Sequence, residues 1–473
     1  METQPPPGKV PGLCSLRYGL SILLHFCNLA VTAQRSCLNL TMVVMVNSSQ
    51  PPGAPNSSAR LRDSTQGPVY DWSPDMQGVI FSAIFYGLVL SQVPAGYLSG
   101  IVSIKKLVGS TLLLSSVLSL LTPLAAKAGE AAMILCRATQ GLAQGAVLTA
   151  QHELWVRWAP PLERTRLISI GMSGLLLGPF LVLLVTGVIC DSLGWPMVFY
   201  VFDLQLRPPA LTGACGCVLC LLWCLLFYDH PKDHPCMSAL EKQYIVGSLA
   251  QQAGSCKQPL PIRAMLTSLP LWAVAVVSFA FFWTITLFIT YTPKFVDDSL
   301  HVDMRKNGLL SGLPYLFSWV TGILTGQMAD VLLSRDIFKI LTIRKLFTTL
   351  GILLPSVFGL GLVCLSAGLY STVTFLVLAN ATSSFSIGGM MVNILDLAPR
   401  YYGFLKGVTT LIGMVGGMLS SLLTGFILSR DPESPWLKTV LVMAGINLAA
   451  VAFYLVFAKA DIQDWAKDRQ TRL

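Results

Sequence analysis

Residues 132–150 read AMILCRATQGLAQGAVLTA. The stretch is apolar enough to lie in a bilayer, yet it carries Arg137; upstream, LAVTAQRSCLNLTMVVMV (29–46) carries Arg35 in the same setting. Such segments recur. A bilayer core about 30 Å thick takes roughly 20 apolar residues per helix. Runs of that kind occupy 18–46, 76–100, 107–126, 131–153, 167–189, 209–228, 271–292, 307–332, 346–365, 371–394, 407–428 and 437–458. With 53% hydrophobic residues, 12% charged residues and a mean hydropathy of +0.65, the composition excludes an ordinary soluble protein. The first run begins after Tyr18, is too long for a signal peptide and lacks a small-residue cleavage site, so it reads as the first span.

Twelve spans place both termini on one side. With the termini inside, the inner segments hold 21 Lys and Arg and the outer loops 8. That asymmetry assigns the net charge of +9 to membrane topology rather than to nucleic-acid binding. The expected organisation is a cytoplasmic N-terminus (1–17), a six-helix bundle (18–228) with an outer loop at 47–75, a cytoplasmic linker (229–270), a second six-helix bundle (271–458) and a cytoplasmic tail (459–473). Asn47 and Asn56 open Asn-Ser-Ser sequons in the outer loop and are expected glycan sites. Of the 12 cysteines only Cys190 is placed near the outer face, which argues against an external disulfide framework. Cys215, Cys217, Cys220 and Cys224 share one apolar helix without His or carboxylate partners and read as packing residues, so no metal is expected.

A mid-membrane Arg costs from about 3 to more than ~10 kcal/mol, depending on the method. It persists by facing a wet cavity and a negative partner, by snorkelling, or by pairing with a buried acid. No Asp or Glu lies deep in any span: Glu130, Glu153, Asp330 and Asp396 all sit at ends. Two cations without a protein counter-charge point to an anionic ligand. Arg137, Gln140, Gln144 and Gln151 fall at spacings that form one polar stripe on a helix, flanked by Gly141 and Gly145. Forked guanidinium donors match carboxylate and phosphate oxygens. Arg35, Arg137, Gln140, Gln144 and Asn39 are the expected substrate contacts.

The two bundles share punctuation. GYLSG (96–100) and GQMAD (326–330) close the second and eighth spans, WAPPLER (158–164) and LAPRYYG (397–403) follow the fourth and tenth, and IGM recurs at 170–172 and 412–414. Similar offsets read as duplicated six-helix bundles, the plan of many secondary transporters. The loop pattern resembles that of the major facilitator superfamily, which implies gating roles for Gly96, Lys105, Lys106 and Asp330, although Gly100 stands at the acidic position of the first copy. YDWSPDMQGVIFSAIFYGLVLSQVPAGYLSG (70–100), CRATQGLAQG (136–145) and WAPPLERTRL (158–167) resemble the anion-transporter branch that includes vesicular glutamate and sialic acid carriers. KVPGLCSLRYGL, LNLTMVVMVNS, GWPMVFYVF and DIQDWAKDRQTRL are similar to renal members of that branch.

The expected fold is therefore an all-α membrane protein, two pseudo-symmetric six-helix bundles. The resemblance implies transport of urate, p-aminohippurate-like carboxylates and phosphate, sodium dependence of the phosphate activity, chloride sensitivity, and residence in the apical plasma membrane of kidney proximal tubule. It matches Arg35 and Arg137 to arginines implicated in anion recognition. The vesicular carriers have a Glu where this chain has Gln144, a His at Phe81 and an Arg at Phe281. A proton-coupled carrier needs a titratable group, and Gln144 is not one. Lone helical His25 reads as a packing residue, so voltage or ion coupling is expected, with a proton-coupled acidic-solute exporter as the alternative. No organic cofactor is expected; sodium and chloride are the coupling or modulating ions, with Asn39, Thr41, Ser386 and Asn393 offering oxygens that helix packing explains equally well.

Asp203–Thr212 interrupt what would be one sixth span, so a helix starting near Pro209 is expected, with PMVFYVF displaced to the outer interface. The final Thr-Arg-Leu fits a PDZ ligand through Thr471 and Leu473. An enzyme would want paired carboxylates or a HExxH motif at depth; His152-Glu153 is half of one, at a helix end. A receptor does not need duplicated halves. A non-enzymatic transporter is the reading that remains.

Overall fold

In the computed structural model the described residues are 15–46, 67–160, 163–199, 213–253, 261–365, 368–431 and 433–466. Asn47, Asn56, the 203–212 segment, Thr471 and Leu473 lie outside them, as does the side chain of Asp330. The helices are α1 (Leu16–Met45), α2 (Pro74–Ile101), α3 (Ile104–Leu120), α4 (Thr122–Ala128), α5 (Glu130–Trp158), α6 (Arg164–Met172), α7 (Gly174–Leu193) and α8 (Gly213–Leu226). After the linker helices α9 (Ala239–Ala253) and α10 (Ile262–Leu266) come α11 (Leu269–Leu300), α12 (Met304–Ser334), α13 (Ile340–Cys364), α14 (Leu369–Ser383), α15 (Val392–Leu397), α16 (Tyr402–Arg430) and α17 (Pro435–Phe457). Among the described residues nine helical spans are long and apolar enough to cross a membrane, and α3 with α4, bent by 53°, makes a tenth. α5 is not among them because of its polar stripe, and the described part of α8 is 14 residues long.

Local chemistry sets the boundaries. α2 starts where Ser73 accepts the Met76 N–H at 3.3 Å, with Pro74 at the first helical position and Asp75 in the first turn. α3 starts likewise at Ser103, which accepts from Lys106 N. Between α14 and α15 a π-helical turn, Ile387–Met391, breaks the regular ladder at Gly388-Gly389. There the Gly388 carbonyl accepts from Arg344 Nη1 at 2.8 Å, and Arg344 Nε pairs with Asp396 at 2.7 Å. Trp195, Val198 and Phe199 are buried in the core, and Trp195 Nε1 donates to Pro68 O at 2.9 Å. The start of PMVFYVF packs as an apolar plug under the 67–72 stretch, at the far end of α7.

Two faces of the molecule can be told apart: a terminal face, carrying the start of α1 and the linker, and a far face, carrying residues 67–73. The halves meet along α2–α16, α7–α12 and α1–α11. Towards the far face Asn39 Nδ2 donates to Ile289 O at 2.8 Å and Lys294 Nζ to Gln77 Oε1 at 3.1 Å. Helices α2 and α16 touch backbone to backbone there: a Cβ added at Gly78 would stand 2.9 Å from Gly425 Cα. On the terminal side the last hydrogen bond between described residues of the two halves is Gln92 Nε2 to Met414 Sδ, at 3.7 Å.

The terminal face of the first half is tied to the linker. Glu241, on α9, accepts the Leu16 and Arg17 N–H groups at 3.2 Å each, capping α1 with a carboxylate 225 and 224 residues away. Arg17, 2% exposed, lies between Glu163 (2.7 Å) and Glu241 (3.5 Å). Burial and the Glu163 carboxylate raise the nearby Tyr244 hydroxyl above its ordinary pKa. Glu241→Ala removes charge-assisted bonds on the order of 2 kcal/mol; a lower melting temperature of the purified protein in detergent is the expected result, with an unchanged value counting against the cap.

Candidate functional site

The polar stripe of α5 faces α1 and α3, where Arg137, Gln144 and Gln151 find partners, while Gln140 accepts from Arg137 of its own helix. Asn28 and Gln151 exchange amide bonds at 3.1 and 2.8 Å. Gln34, on α1, donates to Ser116 at 3.0 Å and accepts from Ser115 at 2.7 Å. Gln144 donates to the same Ser115 at 3.2 Å. These amides and hydroxyls are buried, so their net effect is to fix which faces of α1, α3 and α5 meet.

The two arginines are treated differently by the fold. Arg137 is 2% exposed. Its Nη1 donates to Gln140 Oε1 at 2.8 Å and to the Gln34 carbonyl at 3.3 Å, and its Nη2 donates to the Arg35 carbonyl at 3.0 Å. It grips two successive carbonyls of α1, those of the peptides before and after the Arg35 Cα. Gln140 is fully buried beside it. Arg137 Nε and Gln140 Nε2, both expected to contact a ligand, are buried donors without a hydrogen-bond partner among the described residues.

Arg35 is half-buried. It stands nine residues from Phe26, which is 48% exposed on the outer face of α1, and nine residues at 100° each place it on the opposite side, towards the interior. Nε and Nη2 share Gln144 Oε1 at 3.4 and 3.3 Å, long contacts for a cation. Among the described residues no carboxylate lies within ion-pair distance of either arginine. Arg35 therefore projects a fixed positive charge that reaches solvent at mid-bundle, with a Gln carbonyl beside it. Such a group can take one carboxylate or phosphate oxygen pair in a forked contact.

Asn39, four residues on, uses its amide donor on Ile289 of the other half, which places it in the closure rather than on the chamber. Gly96 lies within α2, where an added Cβ would be 3.9 Å from Thr149 Cγ2 of α5. Lys105 N donates to Asp229 at 2.9 Å and its Nζ lies 4.2 Å over the Tyr228 ring, while Lys106 is exposed. His25 Nδ1 is 2.8 Å from Ser173 Oγ and 3.2 Å from Ile170 O, a hydrogen-bonded packing position. Phe81 and Phe281 are 5% and 6% exposed and supply apolar wall. The far-side link Lys294–Gln77 was not read from the sequence; its only signal there is a Lys inside the long apolar helix that ends at Leu300.

Two helical halves packed along α2–α16, α7–α12 and α1–α11, with an interior guanidinium that has no acid within ion-pair distance among the described residues, are the arrangement of a membrane transporter. The chain belongs to the Major Facilitator Superfamily, whose pattern it matches over residues 24–421. It is 59% identical to sodium-dependent phosphate transport protein 1 of Oryctolagus cuniculus and 58% identical to that of Homo sapiens, each alignment covering 100% of both chains. It is 45% identical to the probable small intestine urate exporter of Homo sapiens over 97% of this chain and 93% of that one. Among solved structures, a D-xylose–proton symporter superposes with a TM-score of 0.66 at 15% identity, covering 94% of this chain and 98% of the other, a likeness of fold alone.

Arg35→Gln keeps the Gln144 contact but removes the charge. The expected cost is about 1.5–3 kcal/mol of anion binding, or roughly ten- to a hundredfold in half-saturation, with little change in melting temperature. Arg137→Lys loses the fork that spans two carbonyls and should lower both transport and melting temperature. Parallel thermal-shift and uptake measurements separate the two roles; equal melting losses in both variants would contradict the division.

Proposed function

We propose that this chain is a voltage-driven carrier of small anions, urate-like and carboxylate organic anions and phosphate, with Arg35 as the ligand-contacting cation. The observation that carries the reading is an interior guanidinium, solvent-accessible and without an acid within ion-pair distance among the described residues. An anion from solution completes it. Arg137 acts behind it, holding the α1 backbone so that Arg35 points into the chamber. The terminal face is the cytoplasmic one, so the conformation with the far-side links made is loaded from inside. The names of the relatives, phosphate transport and urate export, agree with an anionic cargo.

The chamber residues Arg35, Gln144, Phe81 and Phe281 offer no group that titrates near neutral pH, which favours voltage over protons as the drive. One charge crossing 100 mV is worth ~2.3 kcal/mol, so an inside-negative potential of about 60 mV supports a tenfold outward gradient of a monovalent anion at ~1.4 kcal/mol per decade. At an apical kidney membrane this is secretion. Sodium enters for the phosphate activity, chloride modulates, and a PDZ scaffold takes the Thr471–Leu473 tail.

The test is flux of labelled urate and of labelled phosphate in liposomes with membrane potential, pH, sodium and chloride set separately. Urate flux that follows potential at fixed pH is expected. Flux that follows an imposed pH gradient with the potential clamped would instead assign the proton-coupled mechanism.

A further inference from the structure

Most basic side chains at the terminal face and inside the bundle are engaged. Arg17 pairs with Glu163 and Glu241, Arg157 with Glu153 and Arg344 with Asp396. Lys345 Nζ donates to Leu455 O at 2.7 Å, and Lys105 covers the Tyr228 ring. Lys406, in the second turn of α16, is half-buried yet has no hydrogen-bond or ion-pair partner for its ammonium among the described residues. A half-buried ammonium without a partner is costly unless water or a mobile anion reaches it.

Its direction follows from the helix. The lipid stripe of α16 is marked by Leu419, Leu423 and Phe426, 40%, 36% and 49% exposed. Lys406 lies eighteen residues, or five turns, before Thr424, which is 2% exposed, and therefore on the same face. Eleven residues on from Lys406 and about 20° away is Gly417, where an added Cβ would stand 2.6 Å from Thr286 Oγ1 of α11 and 3.0 Å from the Phe85 ring of α2. Lys406 thus looks inward, into the sector between α2 and α11, not towards lipid.

Its depth follows from the parallel run of α1, α11 and α16. Asn39 bonds to Ile289, which sets Arg35 level with the α11 residues near Ile285. Ser420 Oγ bonds to Trp283 O at 3.0 Å, which sets Lys406 about fourteen residues before Trp283 and about sixteen before the level of Arg35. At 1.5 Å per residue, the two cations are about 24 Å apart along the bundle. Lys406 is also beyond Gln92–Met414, the last hydrogen bond between described residues of the halves on that side. The far end differs: its interior cation, Lys294, is already held by Gln77 and has Asp298 one turn away.

We infer that Lys406 is a capture site for the anionic substrate at the terminal-face mouth, a positioning charge about 24 Å from Arg35 along the bundle that draws carboxylate- or phosphate-bearing solutes in. The inference rests on the anion-carrier reading and deepens it by making the two faces unequal. In water the screening length is about 8 Å at physiological salt. A charge at the mouth therefore acts on arriving solute, not on one already at Arg35. Its effect belongs to the rate of capture from one side.

The experiment uses the full chain in vesicles sorted by orientation, with labelled urate and, separately, labelled phosphate offered to one face at a time. Lys406→Gln should raise half-saturation from the terminal face on the order of tenfold and from the far face less than about twofold. Lys406→Arg should behave as the unaltered chain. In the unaltered chain, added salt should raise terminal-face half-saturation more steeply than far-face half-saturation, a measurement that needs no variant. Equal shifts on both faces, no shift in Lys406→Gln, or equal salt slopes would overturn the inference while leaving anion transport intact. Failure of the unaltered chain to carry either anion would overturn the anion-carrier reading itself.

Discussion

The rotation of helix α1 against α5 turns on one cation, Arg137. Arg137 reaches from α5 and binds the carbonyls of Gln34 and Arg35, its Nη1 shared between Gln34 O and Gln140 Oε1, while its Nε is left without a partner among the described residues. A guanidinium buried to 2% exposure without an acid is costly, and here carbonyl dipoles and an amide carry the compensation. A Lys could not span the two carbonyls from one planar group. Because the grip falls on the peptide that carries Arg35, the rotation of α1 and the aim of the second guanidinium are set together. The Gln34–Ser115–Gln144 chain reinforces the same register from α3.

That arrangement separates charges by availability. Ion pairs anchor the terminal face and the start of the second half, where Arg17, Arg157 and Arg344 each have a carboxylate. Of these, the Arg17 and Arg344 pairs join separate elements and contribute more to which elements meet than to net stability. Arg35 and Lys406, on interior faces of helices from opposite halves, have no carboxylate within ion-pair distance among the described residues. Between them the two bundles are closed by small residues and short polar links towards the far face, contacts that can be made and broken without remaking either core. A rocking carrier needs that division: rigid halves, a thin seam and uncommitted charge along it.

Much of this was legible in the residues themselves. The apolar runs, the Ser-Pro-Asp and Ser start signals of α2 and α3, the α5 stripe and the duplicated punctuation follow from local periodicity and capping. Legible too was the absence of a deep acid beside Arg35 and Arg137. What the residues alone left open depends on rotation and on distant partners. A helix wheel shows the polar face of Arg137 and Gln140 without saying that the Gln34 and Arg35 carbonyls of α1 take part of it. Nor does it say that Asn39 bonds across the seam to Ile289. The burial of Val198 and Phe199 beside the segment before α2 likewise needs residues far apart in the chain.

The sequence by itself determined that the chain is a duplicated helical membrane protein with more positive charge than its interior can neutralise, because hydrophobic length, charge asymmetry and residue counts need no partner to be read. Only the tertiary structure decided which of those charges are spent on holding helices and which remain open. Whether a guanidinium meets a carbonyl, a carboxylate or water is fixed by contacts between residues a hundred or more positions apart, such as Arg137 with the Gln34 carbonyl or Glu241 with the first turn of α1. No periodicity along the chain encodes such a meeting.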